Sequence, residues 1–331
     1  MVKDLIRKYG VDFIGVQETK MEVVEDGLCS KLWGGESFDW AFRASQGRSG
    51  GILCIWNKDK FLKESVFQGE GFVAVQGVWY VGRMQCVVVI IYSPCNLTDK
   101  RKLWAEIYQL KCSSAIQFWC VMGDFNTIRD RAERRGSVLS VDTRGMRLFN
   151  SWIDEMELVD LPLIGRRFTY YQAGGVAMSR IDRIMVSNEW LSYWPSTSQW
   201  AIPREFSDHC PILLKYQKPA SGPKPFRLNN CWFHHQDFKP MVRSCWERLE
   251  VQGWRAFVVK EKLKLLKAEI KKWNKEIFGC LELKLGDLNK KILDFDLLGE
   301  VQELTAGQLT DRKLTLADLW KTASLKENLI V

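Results

Sequence analysis

Apolar residues in the first two thirds of the chain gather into short runs separated by polar turns. VDFIGVQ (11–17), GILCIW (51–56), FVAVQGVWY (72–80), CVVVIIY (86–92), FWCVM (118–122), IDRIMV (181–186) and PILLKY (211–216) are each short and rich in β-branched and aromatic residues. That composition and length predict strands. The stretches 97–112 and 145–157 carry helical spacing instead, and VKDLIRKYG at the start reads as a helix. Strands alternating with helices in this way predict an α/β sandwich.

Past residue 217 the pattern changes. KPASGPKPF (218–226) concentrates proline, glycine and serine and reads as a linker. Beyond it, Val259, Leu263, Leu266, Ile270, Trp273 and Ile277 recur at three-and-four spacing, with Lys260, Lys262, Lys264, Lys267, Lys271, Lys272 and Lys275 between them. The spacing predicts an amphipathic helix whose lysines face a partner domain, a nucleic acid or simply water. The expected organisation is an α/β domain over 1–217, a linker over 218–226 and a helical extension over 227–331.

Composition narrows the classes. With 331 residues and 46% hydrophobic content the chain can bury one large core and carry an appendage. A net charge of +8 favours a polyanionic partner, although a solvated basic surface accounts for it equally. The ten cysteines are scattered, without a CxxC pair, which argues against a disulfide framework or zinc site and for a reducing compartment. No apolar run is long enough to span a membrane, and the first residues lack a signal-peptide core, so an intracellular protein without a membrane partner is expected.

The candidate chemistry sits where strands end. Glu18 follows VDFIGVQ, Asp124 and Asn126 follow FWCVM, Asp182 opens DRIMV, and Asp208 and His209 stand just ahead of PILL. Strand ends let a sheet aim several polar groups at one cleft while its apolar residues stay in the core. Carboxylates, an amide and a histidine are the groups needed to neutralise a phosphodiester, activate water and stabilise a leaving oxygen.

VQETK, VMGDFN, SRIDRI and SDHCPI, in that order, resemble the endonuclease/exonuclease/phosphatase superfamily over about residues 1–217. The resemblance implies a two-sheet α/β sandwich with Mg²⁺ as cofactor, Mn²⁺ as a substitute, and no small-molecule cofactor. It makes Glu18 and Asp208 metal ligands. It makes Asp124 the group that orients or deprotonates water, Asn126 a phosphate contact or a brace for Asp124, and His209 a phosphate contact held cationic by Asp182. Tyr92 in IIYSPCN matches a tyrosine contacting the phosphate or leaving group, unless it is a core residue. Thr169 and Ser207 are supporting hydrogen-bonders or ordinary strand and turn residues. Arg129, Arg131, Arg134 and Arg135 follow Asn126 closely enough to contact flanking phosphates, unless they pair with acids within their own loop. The superfamily's opening strand, ending in Asn-x-Arg-Gly, has no counterpart ahead of Glu18, so the chain is expected to lack one strand and one ligand.

YSPCN, GDFNTI and SRIDRI, followed by FRLNNCWFHHQDFKPMV and LKLLKAEIKKWNKEIFG, resemble the endonuclease and connector of plant LINE-type non-LTR retrotransposons. That resemblance implies DNA as the partner, nicking that frees a 3′ hydroxyl, a reverse transcriptase domain in the intact parent, and nuclear residence. A phosphomonoesterase of the same superfamily, or a decayed remnant that binds nucleic acid without cutting, stays open.

Overall fold

The computed structural model describes residues 2–46, 49–80, 82–136, 142–172, 177–204, 207–216, 232–233 and 236–328. It divides into two compact units, 1–217 and 218–331. The stretch read as a linker, 218–226, lies outside the described residues.

The first unit runs α1 (Val2–Tyr9), β1 (Phe13–Gln17), α2 (Asp26–Trp33), β2 (Asp39–Gln46), β3 (Ser49–Trp56), β4 (Phe61–Gly69), β5 (Phe72–Trp79), β6 (Met84–Tyr92), α3 (Leu97–Cys112), β7 (Phe118–Asp124), β8 (Arg134–Gly136) and α4 (Thr143–Glu155). It continues through β9 (Leu158–Asp160), β10 (Leu163–Ile164), β11 (Tyr170–Tyr171), β12 (Ala177–Ser179), β13 (Asp182–Ser187), α5 (Asn188–Tyr193), β14 (Ser198–Ala201) and β15 (Ile212–Lys215). The result is the expected α/β sandwich. A six-stranded sheet, ordered β4-β5-β6-β7-β13-β9, packs against two three-stranded sheets, β1-β3-β2 and β10-β14-β15. A small sheet, β11-β12-β8, completes the unit.

The central strands read as unbroken apolar runs because both faces are covered. Val87, Val89 and Ile91 of β6 pack with Trp104 of α3 and Phe149 and Trp152 of α4. Cys86, Val88 and Ile90 point the other way, into the core shared with Ile52, Cys54 and Trp56 of β3. β6 and β7 are parallel, joined through α3, so the ends of both strands emerge on one side. Outside the second sheet layer, α1 and α2 cover β3 through Ile6, Cys29 and Trp33. Cys29, Cys54, Cys86, Cys95, Cys112, Cys120 and Cys245 are free thiols.

The segments read as the opening helix and first strand are α1 and β1. β1 pairs with β3 and β15 with β14, and among the described residues no strand pairs with the other edge of either. Asp12, just ahead of β1, accepts hydrogen bonds from Lys60 Nζ at 2.7 Å and from the Tyr216 hydroxyl at 3.1 Å. This buried carboxylate ties the start of the unit to its end.

The second unit holds α6 (Phe238–Arg248), α7 (Arg255–Val301) and α8 (Ala306–Asn328). Of the apolar stripe expected over 259–277, Leu266, Ile270 and Trp273 pack with Trp232 and Phe238 in a small core, while Val259 and Leu263 are exposed. The side chains of Lys275 and Ile277 are outside the described residues. The helix is far longer than the stripe suggested, because beyond Gly286 its buried residues, Leu288 and Ile292, belong to a pairing with α8 that buries Leu319. Within that hairpin Arg312 Nε meets Asp296 Oδ1 at 2.9 Å, both side chains buried. Among the described residues no helix is long and apolar enough to cross a membrane.

One ionic network is central to the first unit. Arg183 of β13 is fully buried and reaches Asp160 of β9 at 2.6 Å and Glu133 on the loop after β7. Arg180 meets Asp160 at 2.9 Å, and Arg129 meets the same carboxylate at 3.2 Å. Removing one partner of such a network leaves buried charge uncompensated, so Arg183→Ala is expected to cost about 3–5 kcal/mol of unfolding free energy in urea titrations.

Candidate active site

β7 and β13 are antiparallel neighbours, and their register sets Asp124 directly opposite Asp182. Facing residues on adjacent strands project on the same side, so two buried carboxylates confront each other at the end of the sheet. The turn that follows is closely specified. Gly123 has φ +139°, and a Cβ there would lie 2.0 Å from the Ile91 carbonyl oxygen, so only glycine fits where β7 presses on β6.

Asn126 takes the left-handed conformation at φ +47° and is tied at three points. Its backbone N–H donates to Asp124 Oδ1 at 2.8 Å, its Nδ2 donates to the Ser93 carbonyl at 2.7 Å, and its carbonyl accepts from Lys100 Nζ at 2.6 Å. These bonds hold Asp124 from one side and leave Asn126 with a second side-chain N–H. Lys100 is a buried cation whose pKa is lowered, chiefly by desolvation. Nothing in the helical run that carries it marked it as part of the site.

His209 lies against Asp182, its Nδ1 at 2.9 and 3.1 Å from the two carboxylate oxygens. Thr169, fully buried, holds this arrangement together. Its hydroxyl accepts from the backbone N–H groups of Ile181 and Asp182 at 3.1 and 3.0 Å, and its carbonyl accepts from Cys210 N–H at 2.7 Å. Ser207 likewise bonds the His209 backbone N–H through its hydroxyl, at 3.0 Å. Both side chains thus support the Asp182–His209 pair, and the Thr169 hydroxyl is taken up by backbone N–H groups rather than turned to a substrate.

Glu18 follows β1 at φ +53°, with its carboxylate exposed and accepting from the Tyr92 hydroxyl at 2.7 Å. Tyr92 ends β6 in register with Asp124. Burial first, then the bond to Glu18, pushes the tyrosine hydroxyl up, so it stays a donor. Asp208 is exposed beside His209. Among the described residues no three His, Cys, Asp or Glu side chains converge on one point to hold an ion, so Glu18 and Asp208 do not by themselves make a closed metal cage.

The arginines divide. Arg129, expected at substrate, instead donates to Asn150 Oδ1 at 2.7 Å and to Asp160, because the buried acids of its own loop and of β9 claim it. Arg131 stands exposed at the start of the short 3-10 turn Arg131–Glu133. The sequence reading also missed Tyr170, whose ring sits against that of His209 with centroids 4.9 Å apart. Its place immediately after Thr169 in RFTYYQ was the available signal.

Electrostatics follow from burial. The Asp124 carboxyl is raised to about 7, by desolvation first, then by Asp182 and Glu18, with His209 opposing. For His209 desolvation acts downward, but the bond to Asp182 prevails and lifts it to about 9. A base that ionises near neutrality and an imidazolium that persists above it therefore share one cleft.

A model of the Endonuclease/Exonuclease/phosphatase family matches residues 1–209. Among solved structures, an AP endonuclease from Leishmania major superposes with a TM-score of 0.52 at 14% identity, covering 66% of this chain and 82% of that one. A 3′ phosphatase from Neisseria, bound to product DNA hairpin, superposes at 0.53 and 13% identity, covering 66% and 93%. At these identities the likeness is one of fold. No curated protein matches the sequence.

Because the folded pKa of His209 is raised, its contribution to stability is complete below the unfolded value near 6.5 and is lost as pH rises through about 9. NMR titration of the imidazole should place its midpoint well above 6.5, and Asp182→Asn should bring it back down; a midpoint unchanged by that substitution would break the assigned pairing.

Proposed function

We propose that this chain, which belongs to the endonuclease/exonuclease/phosphatase family, hydrolyses DNA phosphodiesters by direct attack of water, as the nicking module of a LINE-type retroelement. The observation that carries the reading is the trio formed by Asp124, Asp182 and His209, with a base and an imidazolium held on one side of the sheet end.

Asp124, poised near 7, takes a proton from water as the water oxygen bonds to phosphorus. The bond to the 3′ oxygen breaks, and that oxygen leaves with the electron pair and takes a proton from solvent water to become a 3′ hydroxyl. His209, cationic and with Nδ1 engaged by Asp182, offers its Nε2–H to the phosphate oxygens where charge gathers. Asn126 adds its remaining side-chain N–H, and the Tyr92 hydroxyl lies beside Glu18. No side chain is used as a covalent nucleophile.

The donor set suits a hard divalent cation. Glu18 is an exposed carboxylate whose field, with that of Asp182, already reaches the buried Asp124, and Mg²⁺ is commonly held by one or two carboxylates and water. Glu18, with Asp208 as the second acidic residue, would hold Mg²⁺ or Mn²⁺ and supply charge neutralisation at the phosphate.

YSPCN, GDFNTI and SRIDRI together with the connector-like stretches 226–242 and 263–279 support the retroelement reading, with a reverse transcriptase domain as partner in the parent and the nucleus as the place of work. The basic net charge supports DNA over a small inositol phosphate.

Supercoiled plasmid with Mg²⁺ provides the test. Nicking is expected, with Asp124→Ala and His209→Ala each lowering the rate by about 10²–10⁴-fold, the usual range for a general acid or base. Phosphate release from an inositol phosphate without nicking would replace this reading with a phosphomonoesterase, and retention of DNA with neither activity would make the chain a binding remnant.

A further inference from the structure

We propose that the small sheet beside the trio is a subsite for the nucleotide next to the scissile phosphate, with the base stacked on Tyr170 and the phosphate met by Arg134. This rests on the phosphodiesterase reading and specifies what its substrate must carry.

Strand register makes the case. Tyr170 of β11 forms an isolated antiparallel bridge with His209, pairs with Ser179 of β12, and Ser179 pairs with Arg134 of β8. His209, Tyr170, Ser179 and Arg134 are thus successive residues in one cross-strand row, and residues so opposed project on the same face. Adjacent strands lie about 4.8 Å apart, so Arg134 stands about 10 Å beyond Tyr170, with the small side chain of Ser179 between them. The row leads from the imidazolium to an aromatic face, across a low floor, to a cation.

The groups are available. The Tyr170 ring is half-buried, and burial first, then the carboxylates of Asp208 and Asp124, raises its pKa, so the ring stays neutral. Arg129, Arg180 and Arg183 are all consumed by Asp160 and Glu133, whereas among the described residues Arg134 makes no ion pair. Its Nε is buried without a hydrogen-bond partner. The side chain as a whole is part-exposed, which leaves its guanidinium within reach of a phosphate oxygen from solvent. An aromatic face with a cation beyond it matches a nucleotide, because every base has a π-face and every linkage an anionic oxygen. An inositol phosphate supplies the anion alone.

Binding of fluorescent oligo-thymidine, followed by anisotropy in Ca²⁺, separates this claim from catalysis. Tyr170→Ala should weaken binding about tenfold and Tyr170→Phe should restore it, the size expected for one stacked base. Tyr170→Ala should have no effect on a fully abasic oligonucleotide of equal length. Arg134→Gln should weaken binding of the phosphodiester oligonucleotide and leave a methylphosphonate version unchanged. Equal losses on oligonucleotides with and without bases, or with and without charged linkages, would overturn the subsite, as would absence of oligo-thymidine binding at low salt. Failure to nick plasmid with these binding differences intact would instead refute the nuclease reading and leave the subsite standing.

Discussion

Two buried carboxylates facing each other across an antiparallel pair are the constraint around which one end of the main sheet is arranged. Asp124 and Asp182 sit at register partners on β7 and β13, where like charges repel and burial opposes ionisation. The arrangement persists because the two acids are given different surroundings. Asp182 has the His209 imidazole beside it, and its backbone N–H donates to the Thr169 hydroxyl. Asp124 has one backbone donor, from Asn126, and is left with a raised pKa.

A second layer keeps that asymmetry in place. Arg183, next in sequence to Asp182, points away from the cleft into the Asp160 and Glu133 carboxylates, anchoring β13 from behind. Lys100 anchors the turn after β7 through the Asn126 carbonyl. Glu18 and Asn126 both occupy left-handed backbone at strand ends, a conformation non-glycine residues adopt only when their neighbours enforce it. The enforcing groups are visible for Asn126: three hydrogen bonds to three separate segments.

Much of this was legible in the chain because the chemistry is local to strand ends. β6, β7 and β13 announce themselves as apolar runs, and Tyr92, Asp124 and Asp182 stand at the ends that the sheet brings together. What sequence conveyed poorly was partnership over distance. Arg129 reads as a substrate-binding arginine because composition cannot tell which acid will claim it, and only the fold brings Asp160 alongside. Lys100 is one lysine among several in a helical stretch, and its burial depends on how α3 packs. The length of α7 escaped notice because the stripe over its first part and the residues packing on α8 lie on successive, differently partnered stretches of one helix.

The Asp12 carboxylate carries a consequence for how the protein is made. Among its partners are Lys60, 48 residues on, and Tyr216, 204 residues on. Helices and hairpins near the start can form as they emerge during synthesis, but this junction cannot close until the strand preceding Tyr216 has left the ribosome. The domain is therefore dominated at its seam by a contact of very high sequence separation, the kind that slows folding. The polar latch marks where a nascent chain stays open longest.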